Sequence, residues 1–179
     1  MVMLLAIPLG IALGLVLGGG MAGLATLRFR WARLAVAGLL VQVVLFTETG
    51  DRLAGAASPA IYVGSTLAVF LAVLRNLRRT GMPIVALGAL SNLAAIVANG
   101  GAMPADPAAL ATAGLPATDH MNSVVLADPV LRPLTDIFAL PEGMPFANVY
   151  SIGDVLIAAG IVVVIVAAMR RRAGESDPS

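Results

Sequence analysis

Long runs of apolar residues separated by short polar stretches are the main pattern along this chain. Five apolar segments, taken here as segments one to five, cover about residues 2–24, 31–47, 59–74, 82–98 and 152–169. A hydrocarbon core of about 30 Å needs roughly 17–25 helical residues, so segments two to four lie near the short limit. The pattern predicts an all-α fold, namely a polytopic transmembrane helix bundle of about five spans with a partly helical outer loop over residues 100–150.

Local signals at the segment ends support helices. Ser58-Pro59 predicts an N-cap followed by a proline in the first turn, and Pro83 takes the same early position in segment four. Ser151 precedes Asp154 by three residues, which is the spacing of a capping box. Segment five is therefore expected to begin just after Ser151.

The long connection over residues 100–150 is rich in proline and in apolar residues. Unstructured loops beyond about 12–15 residues are uncommon unless they are functional or disordered, and this one is too apolar for disorder. Asp106-Pro107 and Asp128-Pro129 each predict a helix start, with short helices over residues 108–114 and 130–140. We expect a folded cap that lies on the bundle, whereas residues 173–179 are expected to be a disordered tail.

The composition places the chain in the membrane class. Apolar residues make up 59% and charged residues 12%, against about 45–50% and about 25% in soluble domains. A net charge of +1 offers no basic field for nucleic acid. The absence of cysteine excludes disulfides, thiolate metal sites and cysteine nucleophiles.

The arginines predict the orientation. Three arginines follow each of segments one, three and five, so nine of the 11 lie on one side if the helices alternate: Arg28, Arg30, Arg33, Arg75, Arg78, Arg79, Arg170, Arg171 and Arg172. Positive charge stays cytoplasmic, so the N-terminus is expected outside and the C-terminus inside. Four spans would place two triplets on opposite faces. No charge precedes segment one, which favours an uncleaved helix over a signal peptide.

Segment one carries small residues four positions apart, at Gly10, Gly14, Gly18 and Ala22. Such a stripe lets another helix approach closely, and close packing drives association in lipid. The pattern predicts a helix-packing seam, either inside the chain or to a partner. A generic glycine-rich membrane helix is the alternative.

Few polar groups carry candidate chemistry. Asn92 and Asn99 lie seven apart on one helical face, where they contact a ligand or, alternatively, bond across helices and end the span at Gly100-Gly101. His120 is the only histidine and a weak candidate axial ligand for a haem or a chlorophyll-type pigment. A single histidine without cysteine leaves too few ligands for a metal site. No particular cofactor is indicated.

Three stretches, SNLAAIVANGGAMP, TDIFALP and ANVYSIGDVLIAAGI, together resemble DUF5317, a family of bacterial membrane proteins of unknown function. The resemblance covers roughly residues 89–161, and it implies a location in the bacterial inner (cytoplasmic) membrane but no activity. The positions that match the family pattern are Asn92, Asn99, Gly100, Gly101, Met103, Pro104, Asp136, Ser151, Gly153 and Asp154. They cluster at the predicted outer interface.

Three functions remain open at this point. The first is a structural or accessory subunit of a larger membrane complex, for example a bioenergetic or pigment-binding one, in contact with lipids and with other subunits or copies of itself. The second is a small-molecule or lipid-binding protein, or a transporter, with a site near segments four and five. The third is a membrane enzyme using Asp119, His120 or Asp136, and no catalytic motif supports it, so a non-enzyme is expected.

Overall fold

The computed structural model describes residues 2–116 and 124–171 and is mostly helical. The helices are α1 (Val2–Val16), α2 (Ala22–Ala25), α3 (Ala32–Leu45), α4 (Glu48–Ala54), α5 (Ser58–Leu74), α6 (Met82–Ala98), α7 (Pro107–Thr112) and α8 (Ile152–Met169). Strands β1 (Phe138–Leu140) and β2 (Asn148–Tyr150) form an antiparallel hairpin with Ala139 opposite Val149. The hairpin is an addition to the expected all-α fold.

Helices α6 and α8 begin and end at the residues that the apolar pattern predicts. The capping box at the start of α8 is confirmed, since both reciprocal bonds between Ser151 and Asp154 are present. Ser58 is not the N-cap of α5 as predicted. It lies inside the helix, and its hydroxyl donates to the Asp51 carboxylate at 2.9 Å.

Segment one is shorter than predicted, because α1 ends at Val16 instead of near residue 24. Three successive glycines follow, and glycine is costly in a helix interior. Gly18 has φ +78, and a Cβ there would contact nothing within 4 Å. The predicted stripe of Gly10, Gly14, Gly18 and Ala22 is therefore wrong in its second half: Gly18 lies outside the helix and Ala22 begins α2.

The five long helices pack in the order α1, α8, α6, α5, α3. A Cβ built on Gly10 would lie 3.0 Å from Ile165 Cβ, and one built on Gly14 would meet Met169, so α1 and α8 run parallel. Neighbouring helices in the rest of the row are antiparallel, as the contact of Phe46 with Tyr62 at the same end of α3 and α5 illustrates. The first half of the glycine seam therefore lies within this chain.

A second glycine seam joins α6 to α8. Gly81 and Gly88 are seven residues apart, as are Gly153 and Gly160 on the opposing helix. A Cβ on Gly81 would lie 2.7 Å from the Gly160 carbonyl oxygen, and one on Gly88 would lie 2.9 Å from the Ile157 nitrogen. Gly88, Gly153 and Gly160 lie within the two helices, and Gly81 is the left-handed N-cap of α6. The absence of side chains at these positions lets the two backbones pack closely.

The connection between α6 and α8 folds into the expected cap, with α7 in the predicted place. Its core consists of Ala105, Ala109, Leu110, Ala113 and Val149. The predicted helix over residues 130–140 is wrong. Leu131 has φ 54, only a 3-10 turn at Arg132–Leu134 follows, and Thr135 is extended, so Asp128-Pro129 begins no helix.

Among the residues that the structure describes, two helical stretches are long and apolar enough to cross a membrane, Glu48–Leu74 and Ile152–Met169. The first joins α4 to α5 through a 3-10 turn. The apolar helices Leu4–Val16, Ala32–Leu45 and Met82–Ala98 are shorter. Length and composition thus give weak support for a membrane protein and do not establish five spans.

Candidate functional site

A hydrogen-bonded network joins the C-terminal half of α6 to the start of α8. The Ser151 hydroxyl donates to Asn92 Oδ1 at 2.8 Å, and Asn92 Nδ2 donates to Asp154 Oδ1 at 2.9 Å. The Asp154 amide donates to Ser151 Oγ at 3.1 Å, and the Ser151 amide donates to Asp154 Oδ2 at 3.1 Å. Asn92 thus extends a helix cap into a link between two helices.

Gly153 makes room for this network. A Cβ at this position would overlap the Asn92 amide and would lie 2.7 Å from the Gly88 carbonyl oxygen. Because Ser151 and Asp154 occupy both polar atoms of the Asn92 amide, the side chain links helices and is not turned toward a ligand. The geometry therefore favours the interpretation that Asn92 bonds across helices over the interpretation that it contacts a ligand.

Asp136 is the most unusual group nearby. Its side chain is 6% exposed, and its Oδ1 has no hydrogen-bond partner among the residues described. Its backbone is held in place, since its amide donates to the Pro104 carbonyl and its carbonyl accepts from the Asp106 amide, both at 2.9 Å. Burial, and then the charge of Asp154, raise the pKa of Asp136 to about 8. The carboxyl is therefore mostly protonated at neutral pH and able to donate a hydrogen bond.

The residues Asn99 to Pro104 turn the chain from α6 into the cap. Gly100 and Gly101 have φ +70 and +90, and the Gly101 amide donates to the Ile96 carbonyl at 2.8 Å. The left-handed conformation closes the helix as predicted. A Cβ on Gly101 would lie 2.6 Å from Pro59 Cβ, so this glycine also permits close contact with α5.

Asn99 and Met103 attach the cap to the helices. Asn99 Nδ2 donates to the Val130 carbonyl at 2.9 Å, and the Val130 amide donates to Asn99 Oδ1 at 2.8 Å. Met103 is buried against Tyr62 and Ile96. Asn99 therefore does more than end the span: it binds the cap loop 31 residues further along the chain.

Asp106 lies on the outer side of the cap. Its carboxylate accepts from the Ala108 amide and pairs with Arg132, both at 2.9 Å. The hydrogen bond from Arg132 and then the Ala108 amide hold the pKa of Asp106 below its usual range. A surface cavity of about 640 Å³ opens beside this pair, and a second of about 310 Å³ lies between Asp106 and Asp128.

The structure thus brings most family-pattern residues to one end of the helices, around two centres: the Asn92 network and the Asn99 corner. The sequence pattern identified these positions, but it gave no signal that would single out the isolated carboxyl oxygen of Asp136 among the acidic residues of the loop. His120 and Asp119 lie outside the described residues. Among those residues, no group of three or more His, Cys, Asp or Glu could hold a metal ion.

The family model for a family of unknown function, DUF5317, matches residues 26–166. The chain belongs to DUF5317. The matched region includes the Asn92 network, the Asn99 corner and the whole cap, whereas most of the α1 seam lies before it. No curated protein and no solved structure matches the chain. The family match therefore confirms the resemblance found in the sequence, and it assigns no activity to the chain.

Proposed function

We propose that this DUF5317 protein is a multi-pass membrane protein that serves as a structural or accessory subunit of a larger membrane assembly, and that it is not an enzyme. The observation that carries the proposal is the packing of the five long helices as an open row, with α1 and α3 at its two ends. Helices in such a row keep apolar faces that lipid or other subunits must cover.

Helix α3 shows this most clearly, because it packs mainly on α5. Its exposed large apolar residues are Leu34, Leu39, Leu40, Val36, Val41, Val43 and Val44. An apolar surface of this extent is unusual on a soluble monomer and marks a membrane or protein interface. It supports both membrane insertion and contact with a partner.

Helix α5 adds a place where another helix fits. Ala60 and Gly64 are exposed one turn apart, and a Cβ on Gly64 would meet nothing within 4 Å. Small residues at this spacing let a neighbouring helix approach the backbone closely. This position favours a partner helix over lipid alone on that face.

Membrane orientation is part of the proposal. Arg28, Arg30 and Arg79 meet at one end of the row, where Arg79 donates to the Arg28 carbonyl. The cap and its acidic residues lie at the opposite end. With positive charge retained in the cytoplasm, five crossings place the N-terminus outside and the C-terminus inside a bacterial inner membrane. Helices of 14–15 residues at α3 and α1 require local bilayer thinning or coverage by a partner.

The assembly proposal is tested with Gly64→Leu, which adds bulk to an exposed face of α5 where an added Cβ meets nothing within 4 Å. We expect the wild-type protein, extracted in a mild detergent from its native host, to run as a complex with other membrane subunits. Gly64→Leu should release it, while Ala37→Leu, at an exposed small residue of α3, should leave the complex intact. A wild-type protein that runs as a monomer with no companions would refute the accessory role, and an absorbing cofactor in the complex would point to a bioenergetic or pigment-binding host.

A second candidate function is binding or transport of a small molecule or lipid near α6 and α8. The unpartnered, buried Oδ1 of Asp136 favours it, because such a group gains from a hydrogen-bonding ligand. A thermal-shift screen of small polar molecules tests this candidate. A ligand that stabilises the wild-type protein but not Asp136→Ala would support it, and a screen without hits would leave the accessory role as the better account.

A further inference from the structure

A cavity of about 480 Å³ opens at the arginine-bearing end of the helix row, away from the cap. It is called the arginine pocket here, and its lining consists of Arg30, Leu74, Arg75, Asn76, Leu77, Arg78 and Arg79. Four of these seven residues are arginines and none is acidic. The chain segments after α2 and after α5 meet to form it.

The walls of the arginine pocket are held by bonds within the protein. The Arg30 amide donates to Asn76 Oδ1 at 2.9 Å, while Asn76 Nδ2 donates to the Arg30 carbonyl at 2.8 Å and to the Ala72 carbonyl at 2.7 Å. Asn76 is 5% exposed. Because these bonds use only the backbone of Arg30, they do not fix the position of its side chain.

Arg79 forms the buried wall of the arginine pocket. It is 6% exposed, donates to the Arg28 carbonyl and lies over the Phe29 ring at 5.4 Å from the centroid. Burial, and then the nearby charge of Arg171, lower the pKa of Arg79. The exposed side chains of Arg30 and Arg75 add positive charge to the pocket, which favours an anion there.

The chemistry of the lining selects among anions. Guanidinium groups present planar pairs of N–H donors that match the oxygens of a phosphate. Leu74 and Leu77 are 37% and 40% exposed beside the arginines, so an apolar surface adjoins the charged one. A phosphate group with a hydrocarbon chain attached satisfies both surfaces, as does the headgroup region of a phospholipid.

We propose that the arginine pocket binds a phosphate-bearing anion, supplied by the headgroup of an anionic phospholipid. The lipid source rests on the proposed insertion in a membrane, whereas recognition of the phosphate group does not. Retention of such a lipid would fasten the end of the row at which α5 turns into α6.

The test uses the full-length protein in a neutral detergent, with binding followed by native mass spectrometry. Phosphatidylglycerol is compared with phosphatidylcholine, and inorganic phosphate is added as the soluble competitor. The variant Arg30→Gln with Arg75→Gln removes two exposed charges of the pocket. Arg33→Gln is the matched control, because it removes an exposed arginine close in sequence to Arg30 but outside the pocket lining.

We expect phosphatidylglycerol to bind the wild-type protein more tightly than phosphatidylcholine does, with at least a tenfold loss in the double variant and less than a twofold change in Arg33→Gln. Equal melting temperatures establish that the double variant folds. If it melts earlier, Arg75→Gln alone replaces it in the same comparison. Equal binding of the two lipids, or equal losses in the double variant and the control, would overturn the proposal.

Competition with inorganic phosphate distinguishes a phospholipid headgroup from a soluble phosphate compound as the source of the bound phosphate group. Retention of phosphatidylglycerol in the presence of 10-fold excess phosphate supports the lipid source. If phosphate displaces the lipid, or binds although no lipid does, the pocket is an anion site filled by a soluble phosphate compound. This outcome removes the lipid source from the proposal and keeps the recognition of phosphate. Binding of neither probe overturns the inference while leaving the accessory role untouched.

Discussion

Asp154 caps α8 and also accepts a hydrogen bond from the half-buried amide of Asn92 on α6. Its two oxygens are divided between these partners, since Oδ2 accepts from the Ser151 amide and Oδ1 from Asn92 Nδ2. A capping interaction contributes about 0.5–2 kcal/mol, whereas a buried donor left without an acceptor costs about 1–3 kcal/mol. The bond to Asn92 therefore contributes about as much to the free energy of unfolding as the cap at Ser151 does.

Replacing Asp154 by alanine is expected to lower the free energy of unfolding by roughly 2–4 kcal/mol, because the cap is lost and Asn92 loses its acceptor. Asp106→Ala serves as control, since it removes an aspartate N-cap and its pair with the exposed Arg132 but leaves no side-chain amide of another helix without its acceptor; its loss should be smaller. Chemical unfolding in detergent measures both. Equal losses would show that the bond to Asn92 contributes nothing.

Asp136 predicts a dependence of stability on pH. Its pKa is raised from 3.8 to about 8 in the folded protein, so between these values the unfolded chain has released a proton that the folded protein retains. The stabilisation is complete below pH about 4 and is lost as the pH rises through about 8. The melting temperature should fall over this range in the wild-type protein.

Asp136→Asn keeps a neutral side chain at every pH and should flatten that fall, so that the variant gains on the wild type as the pH increases. Tyr62 and Asp154, the titratable groups that face Asp136 from α5 and α8, are unchanged in this comparison. Asp128→Asn controls for the loss of one carboxylate from the same loop. Parallel melting profiles for wild type and Asp136→Asn would contradict the raised pKa.

The two glycine seams decide how the helices are arranged. On α1 the small residues are four apart and the neighbour is α8, which contributes Ile165 and Met169. Between α6 and α8, Gly81 at the N-cap of α6 meets Gly160 and Gly88 meets Gly153, which makes the pair antiparallel with close backbones. Helix α8 therefore lies between two close neighbours, and a bulky residue on either seam displaces it.

Gly14→Leu is expected to destabilise the protein itself, with a cost of about 1–3 kcal/mol for overpacking against Met169. A lower melting temperature and faster proteolysis would show this. Gly64→Leu is the control at the level of folding, because nothing in this chain lies within 4 Å of the added carbon. A Gly14→Leu variant as stable as Gly64→Leu would contradict the packing of α1 on α8.

The row as a whole has two chemically different ends. One end carries the arginine pocket, and the other carries the cap with Asp106, Asp136 and Asp154. In a membrane, this separation of charge orients the protein, since arginine-rich ends are retained on the cytoplasmic side. The proposed five crossings would place the two termini on opposite sides of the membrane.

Fusions of a phosphatase that is active only outside the cytoplasm test this orientation. The enzyme should be active after residue 128 in the cap and inactive after residue 78 or at the C-terminus, while a fluorescent protein that folds only inside should show the reverse. A tag on the N-terminus should be accessible from outside. Two termini in the same compartment would refute the five-span arrangement.

The sequence by itself determined the long helices over 82–98 and 152–169, because apolar runs with a capping box or an early proline specify a helix locally. The family-pattern residues also identified where the helices and the cap meet. Short-range patterns failed in two places: Gly18 left the stripe because α1 ends before the three successive glycines, and residues 130–140 became a turn and a strand. Only the tertiary structure paired the glycines of α6 with those of α8, isolated Asp136 and placed Asn76 against Arg30. These features join segments that lie far apart in the chain, 46 residues for Arg30 with Asn76 and 62 residues for Asn92 with Asp154, and no local pattern encodes their approach.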